Sequence, residues 1–345
     1  MTSWSYLYSD QIMCHSATIH CLHAEQSPQS ATMRQCGNER CAMALWTVND
    51  IPDQSGRTFL VTGANSGLGY ITSLELARRG ARVLMTARDE TKGRAAVARI
   101  RSIVPRAQLE LHIFDMADLE QVKQFALELI TNETAIDVLI NNAGIMMPPR
   151  TLTPQGFELQ FGVNHLAHFA LTGLLIERLS KGQDPRVVTV TSDLHKRGTI
   201  HFDDLTGAKT YGRVAFYAQS KFANAVFGLE LDRRLRAHQS PVRSLLAHPG
   251  YSATNLQLSG PTGFLNLFMR IGNRFMAQTA EMGALNLLYA ACAADVEGGQ
   301  FFGPDGRNEM KGYPTLVEAV SSAKDPVLAD RLWQLSVELT GVRSF

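Results

Sequence analysis

The chain has 345 residues, with 33 Lys and Arg against 32 Asp and Glu and a formal charge of +1, so no electrostatic field draws it to nucleic acid or to an acidic membrane surface. At 45% hydrophobic residues and 27 Gly the composition is globular, which excludes disordered and fibrous classes and leaves one large or two small domains. Five cysteines are too few, and odd in number, for a disulfide scaffold; a reducing compartment and a cytoplasmic location are expected.

Four of the five, Cys14, Cys21, Cys36 and Cys41, fall in residues 1–42 together with His15, His20 and His23. Neither helical periodicity nor strand alternation runs through this stretch, so it reads as a disordered extension, with Met43 expected to be the natural start. Cys36 and Cys41 have knuckle-like spacing, but no second tight pair completes a zinc site and no metal is expected. A secretory signal would place positive charge early, yet the first Lys or Arg is Arg34 and no apolar run precedes it. No segment reaches the ~20 apolar residues of a membrane-spanning helix.

From residue 43 onward, short β-branched runs alternate with amphipathic stretches. Strands are expected at 58–62, 83–86, 109–114, 136–140, 187–191, 242–247 and 300–302, and helices at 68–79, 91–103, 119–130, 156–179, 216–236 and 281–293. Near-continuous apolar strands separated by helices predict an α/β doubly wound (Rossmann) fold, a mostly parallel sheet of about seven strands with helices on both faces. No linker or repeat divides it, so 43–345 reads as a single domain. The segment 256–276 breaks the rhythm with Gly260, Pro261, Gly263 and many large apolar residues. It fits either a substrate lid at the carboxyl ends of the strands or the surface of a homo-oligomer.

The first strand runs into Gly63, Ala64, Asn65, Ser66, Gly67, Leu68 and Gly69 and then a helix. The spacing is G-x-x-x-G-x-G, and the glycines allow positive φ and close backbone approach while the helix N-terminus attracts a pyrophosphate. A tight turn with no ligand is the plainer reading of that segment alone. At the end of the second strand a carboxylate would bond the ribose 2′-hydroxyl and repel a 2′-phosphate. Here Ala87 is expected at the tip, Arg88 follows as a phosphate donor, and Asp89 is placed to cap the next helix. NADP(H) is therefore favoured over NAD(H). Asp115 and Met116, after the third strand, would lie beside the adenine, Asp115 accepting from its amino group or capping a helix from Met116.

Tyr217 and Lys221 stand four apart on a predicted helix, so their side chains share one face. A tyrosine of ordinary pKa near ~10 must be lowered to act as a base near neutrality, and an ammonium plus the ring of an oxidised nicotinamide is of the right strength to do it. An amphipathic Tyr/Lys pair on a solvated face is the alternative for the pair in isolation.

The order of motifs decides the matter. The glycine turn, Asn141-Asn142-Ala143-Gly144 after the fourth strand, Asn164 in Val163-Asn164-His165, Ser192 after the fifth strand, Tyr217 with Lys221, and His248-Pro249-Gly250 after the sixth together resemble the single-domain short-chain dehydrogenase/reductases. The resemblance extends from Met43 to Phe345. It implies that Tyr217 is the general acid/base, that Lys221 lowers its pKa and holds the nicotinamide ribose, that Ser192 positions the substrate oxygen, and that Asn164 holds a relay water. Asn141 to Gly144 would line the adenosine side, Pro249 and Gly250 the nicotinamide side, and Thr254 would reach the carboxamide. Asn65-Ser66-Gly67-Leu68-Gly69, Arg88, the 163–169 segment and the long interval from Ser192 to Tyr217 look like the retinol dehydrogenase-like branch. The basic residue that many NADP users carry before the middle glycine is Ser66 here, so the cofactor preference rests on Arg88.

The expected function is thus reduction or oxidation between a lipophilic alcohol and its aldehyde or ketone. Its rivals are a silent NADP-binding regulator, which would be expected to have lost Tyr217 or Lys221, and a nucleotide-sugar epimerase or dehydratase, which would add a larger substrate domain. His165, His168 and His195 lack ligand partners at helical spacing and read as packing or surface residues. Ser192 with His195 suggests a hydrolase, but no G-x-S-x-G elbow surrounds Ser192.

Overall fold

Eight strands form one sheet in the order β3-β2-β1-β4-β5-β6-β7-β8. In the computed structural model, which describes residues 45–251 and 278–343, these are β1 Thr58–Val61, β2 Arg82–Ala87, β3 Gln108–Ile113, β4 Val138–Asn141, β5 Arg186–Val190, β6 Arg243–Ala247, β7 Phe301–Pro304 and β8 Pro314–Leu316. The first seven run parallel and β8 pairs antiparallel with β7, Phe302 opposite Leu316. The chain order reverses direction between β1 and β4, as in doubly wound sheets that bind ligands at such a switch. The readings for residues 1–42, for 256–276 and for Thr254 lie outside the described residues.

Helices cover both faces. On one side α1 (Gly67–Arg78), α2 (Glu90–Ile103) and α6 (Ala280–Cys292) bury Leu74, Leu76, Ile100, Leu287 and Leu288 against β1 and β2. On the other, α3 (Leu119–Asn132), α4 (Leu159–Leu179), α5 (Arg213–Ala237) and α7 (Pro326–Thr340) pack Phe125, Phe169, Leu175, Phe227 and Trp333 into a second core. Burial on both faces explains why the central strands read as unbroken apolar runs. β3, at the edge, alternates instead.

Four differences from the sequence expectation have local causes. An eighth strand exists because three residues beside Gly312 pair with the edge of β7, too short a run to show a period. The C-terminal helix α7 carried start and stop signals, Asp325 capping Val327 N at 2.9 Å, Pro326 at the first position and Gly341 at φ 70°. α3 begins at Leu119, capped by Asp118, so Asp115 caps no helix from Met116. α4 is apolar enough by composition to cross a membrane, but 83% of it is buried in the fold; a helix wedged between a sheet and two other helices is apolar all round for that reason.

His165 and His168 lie in α4, each about 1% exposed. Burial pushes His165 down to about 3 and His168 down to about 4. Both values lie below that of an unfolded histidine, so their contribution to stability is complete at neutral pH and is lost as pH falls from about 6.5 toward about 4. The urea midpoint should drop between about pH 7 and about pH 5, and a His168→Asn variant should show a shallower pH dependence; a flat wild-type profile over that range would contradict this.

Candidate active site

The carboxyl ends of β1, β4, β5 and β6 deliver the polar residues to one edge of the sheet. Residues 63–69 leave β1 and enter α1 with Gly63 at φ +65° and Gly67 at φ +55°. A Cβ on Gly63 would sit 3.0 Å from Ala143 Cα, and one on Gly69 would sit 2.5 Å from both Asn142 Nδ2 and Gly63 O. The turn is therefore pressed against the β4 end as closely as backbone allows. Ser66, extended at φ −161°, precedes α1 without a side-chain cap. Leu68 packs its side chain on the core, and Asn65 is half-buried.

Asn142 accounts for much of that closeness. Its Nδ2 donates to Thr62 O at 2.7 Å and Gly63 O at 3.3 Å, so it ties the glycine turn to β4. Asn141 does not line this cleft, as expected of it; alternation along β4 turns it the other way, and its Nδ2 donates to Thr172 Oγ1 at 3.0 Å inside the core. Thr62 Oγ1 accepts from Asn142 N and Ala143 N, each at 2.9 Å, and meets His168 Nε2 at 2.9 Å. His168 Nδ1 donates to Asn164 O at 3.0 Å. Because that carbonyl only accepts, Nε2 of the neutral ring carries no proton and accepts a hydrogen bond from the Thr62 hydroxyl. His168, expected to be a packing residue, thus links the glycine turn to Asn164.

Asn164 sits in a π-helical turn, 162–166, within α4. Its Oδ1 accepts from Ile145 N at 2.8 Å, and its Nδ2 donates to Ile145 O at 3.0 Å and Ser220 Oγ at 2.9 Å. Ser220 in turn donates to Tyr217 O at 2.8 Å. The side chain holds Ile145 against α5, the structural role an amide in an apolar helix needs. Ser220 was missed from sequence, although a serine on a buried helix face between Tyr217 and Lys221 was visible there.

Ser192 follows β5 and opens a helical turn, Asp193–Arg197, accepting from Leu194 N at 3.3 Å. It lies close enough to the Tyr217 phenol to lower its pKa against the effect of burial. Lys221, one turn along α5, donates from its ammonium to Val190 O at 3.1 Å, the only hydrogen bond of that ammonium among the described residues, and lies 5.9 Å from the centroid of the Tyr217 ring. Burial pushes Tyr217 up to about 12, against a lowering by Ser192, and brings Lys221 down to about 8; the nicotinamide ring expected to help lower the phenol acts only with the dinucleotide bound. Both groups have lost water, and the ammonium is drawn to a β5 carbonyl.

β2 ends at Ala87, and Arg88 projects beyond it, 72% exposed and 4.0 Å from Asp115 Oδ2. Asp89 caps α2 by accepting from Lys92 N at 3.0 Å. Asp115 Oδ1 accepts from Ala117 N at 2.9 Å, whereas the Met116 side chain is buried in the core and can offer only backbone. Gly250, at φ +61°, follows Pro249, whose carbonyl accepts from Gln278 Nε2 at 2.6 Å. No cluster of three His, Cys, Asp or Glu side chains that could hold a metal is found among the described residues.

A nicotinamide dinucleotide suits these residues: a glycine cradle that a Cβ would fill, an uncapped helix N-terminus, and a buried ammonium with donors to spare. Fold and residues are those of a dinucleotide-dependent oxidoreductase. The chain belongs to the short chain dehydrogenase family, whose model matches residues 57–260. It is 40% identical to retinol dehydrogenase 14 of Mus musculus over 301 residues, 83% of this chain and 86% of that protein. A crystal structure of an uncharacterized protein from Mycobacterium paratuberculosis, 44% identical, superposes with a TM-score of 0.73, covering 88% of this chain and all of that one. A structure described as an NAD(P) dependent gluconate 5-dehydrogenase from Beutenbergia cavernae, with bound NADP, is 26% identical at a TM-score of 0.56, covering 72% of this chain and 94% of that one.

Gly69→Ala forces Asn142 or the glycine turn to move. Affinity for NAD(P)H, followed by nicotinamide fluorescence, should fall at least about tenfold; unchanged affinity would show that the cradle is not the binding surface.

Proposed function

We propose that the chain is an NADP(H)-dependent oxidoreductase that interconverts a lipophilic alcohol and its aldehyde or ketone, with Tyr217 as general acid/base. The observation that carries this reading is the burial of Tyr217 one helical turn before the buried Lys221 ammonium on α5, with half-buried Ser192 close enough to act on the phenol. The likeness to a protein named retinol dehydrogenase supports the lipophilic substrate class.

The bound dinucleotide supplies or removes the hydride. As the carbonyl carbon gains hydride its oxygen gains negative charge, and two hydroxyl donors aimed at one point stabilise that charge more than the neutral substrate. Ser192 donates a hydrogen bond, while Tyr217 gives up its proton to the oxygen and completes the alcohol. A phenol is protonated at neutral pH and so is available as the proton donor in reduction. The phenolate left behind is balanced by the Lys221 ammonium. Oxidation reverses the proton path and needs the phenol lowered, for which the ammonium and a positive nicotinamide ring are the available charges. Asn164 and Ser220 act on the geometry by holding the 144–146 loop and the Tyr217 turn together.

For the cofactor, Arg88 supports a 2′-phosphate: it stands at the tip of β2 with an exposed guanidinium, while the carboxylate next to it is occupied in capping α2. The NADP held by the Beutenbergia cavernae protein is consistent with that choice.

Following NADPH absorbance with a panel of long-chain aldehydes and ketones, Tyr217→Phe should lower kcat by about 10³-fold or more and leave the KM for NADPH nearly unchanged. Equal rates for the two proteins would overturn the mechanism. Arg88→Ala should raise the KM for NADPH at least about tenfold and that for NADH by little; equal losses for both would move the phosphate contact elsewhere.

A further inference from the structure

The turns after β5 and β6 lie on neighbouring strands, and a third segment, Arg307–Met310 between β7 and β8, reaches across both. Glu309 stands in it. Its Oε2 accepts from His248 Nε2 at 3.0 Å and its Oε1 from Lys196 Nζ at 2.9 Å, while Lys196 also holds Asp193 at 2.8 Å. Gly250 N donates to His248 Nδ1 at 3.3 Å, so the proton of the neutral ring is on Nε2 and faces the carboxylate. The next carbonyl, Met310 O, accepts from Tyr251 N at 2.8 Å. A single carboxylate therefore joins the helical turn that Ser192 opens to the turn that carries Pro249 and Gly250.

The backbone is strained to put it there. Asn308 and Glu309 both have φ 55°, the left-handed conformation that is uncommon for a residue such as glutamate. β7 is cut to receive the imidazole, since a Cβ on Gly303 would run into His248 Nε2. Phe301 of the same strand meets His195 and His248 edge-on, with centroids 5.5 and 5.3 Å away, so both turns rest on one ring. The donors His248 and Lys196 hold the Glu309 carboxyl down at about 2, and it stays an acceptor across the working range.

We propose that Glu309 is a positioning residue for the oxidoreduction, fixing the Ser192 turn and the His248–Gly250 turn relative to one another through Lys196 and His248. This rests on the reading of Ser192 and Tyr217 given above. Without the carboxylate, the buried His248 N–H loses its acceptor and Lys196 loses its link to β6. The two turns then drift independently. Drift of Ser192 lowers kcat, and drift of the Pro249–Gly250 turn raises the KM for the dinucleotide.

The test is steady-state kinetics with NADPH and a long-chain aldehyde that the wild type reduces, on Glu309→Gln, Lys196→Met, the double variant and Tyr217→Phe, with melting temperatures alongside. Glu309→Gln is expected to lower kcat about tenfold and raise the KM for NADPH about threefold. Lys196→Met, which leaves the His248 pair in place, should give a smaller loss of kcat. The double variant should be no worse than Glu309→Gln, because both changes break the same link. Loss of folded protein alone would lower kcat at an unchanged KM, so that pattern would overturn the proposal. Losses that add in the double variant, or a Glu309→Gln protein with wild-type constants beside an inactive Tyr217→Phe, would overturn it too. A Tyr217→Phe protein as active as wild type would instead bring down the reading of the site on which the proposal stands.

Discussion

A buried ammonium with a single acceptor among the described residues is the constraint around which this structure is arranged. Lys221 is 3% exposed, and burial alone brings it down to about 8. Keeping such a group close to charged costs free energy that the surroundings must offset with hydrogen bonds. α5 is buried along most of its 25 residues, so it has no freedom to swing the side chain out to water. The β5 end supplies what it can: Val190 O accepts from both Lys221 and Asn224, at 3.1 Å each, and Thr191 Oγ1 donates back to Lys221 O at 2.7 Å. The remaining N–H groups are what a ribose would find, and Tyr217 one turn earlier shares the same dry environment.

Around that helix the polar groups form one connected frame. The glycine turn is held to β4 by Asn142, β4 is held to β1 by the Thr62 hydroxyl, and Thr62 is held to α4 by His168. From α4 the path continues through Asn164 and Ser220 to Tyr217. Every donor and acceptor on the Thr62 hydroxyl is used, and only the neutral form of His168 allows it, which is the form that burial enforces. The π-helical turn at 162–166 brings an amide to the 144–146 loop from a helix that is otherwise apolar. The glycine turn and the Tyr217 turn are thus parts of one hydrogen-bonded body, and the Lys196, Glu309 and His248 chain separately joins the turns after β5 and β6.

Most of the architecture was legible along the chain. The seven parallel strands and the helices between them follow from apolar runs and amphipathic stretches, because burial on both faces leaves an unmistakable pattern. β8 was not legible, since a three-residue edge strand has no period, and α7 was overlooked although Asp325, Pro326 and Gly341 mark both its ends. Among the site residues, spacing placed Tyr217 with Lys221 and Arg88 at the strand tip. It misjudged Asn141, whose orientation depends on which way β4 is turned; Ser220 was visible but unread, and the partners of His168 and Glu309 left no mark in the spacing. Their partners are far away in sequence: His168 is 106 residues from Thr62, and Glu309 is 61 from His248.

What the sequence by itself determined was the list of parts: a doubly wound sheet, a glycine turn, a Tyr/Lys pair on one helix face, and a guanidinium at the end of β2. Each is a local property, set by periodicity, by backbone freedom or by a spacing of four residues. Only the tertiary structure decided how protons and charge are distributed over those parts. Burial raises the phenol and lowers the ammonium, and the ammonium donates to a β5 carbonyl, none of which a spacing of four residues shows. Desolvation and long-range hydrogen bonds depend on which distant segments close over a residue, and no local pattern records that.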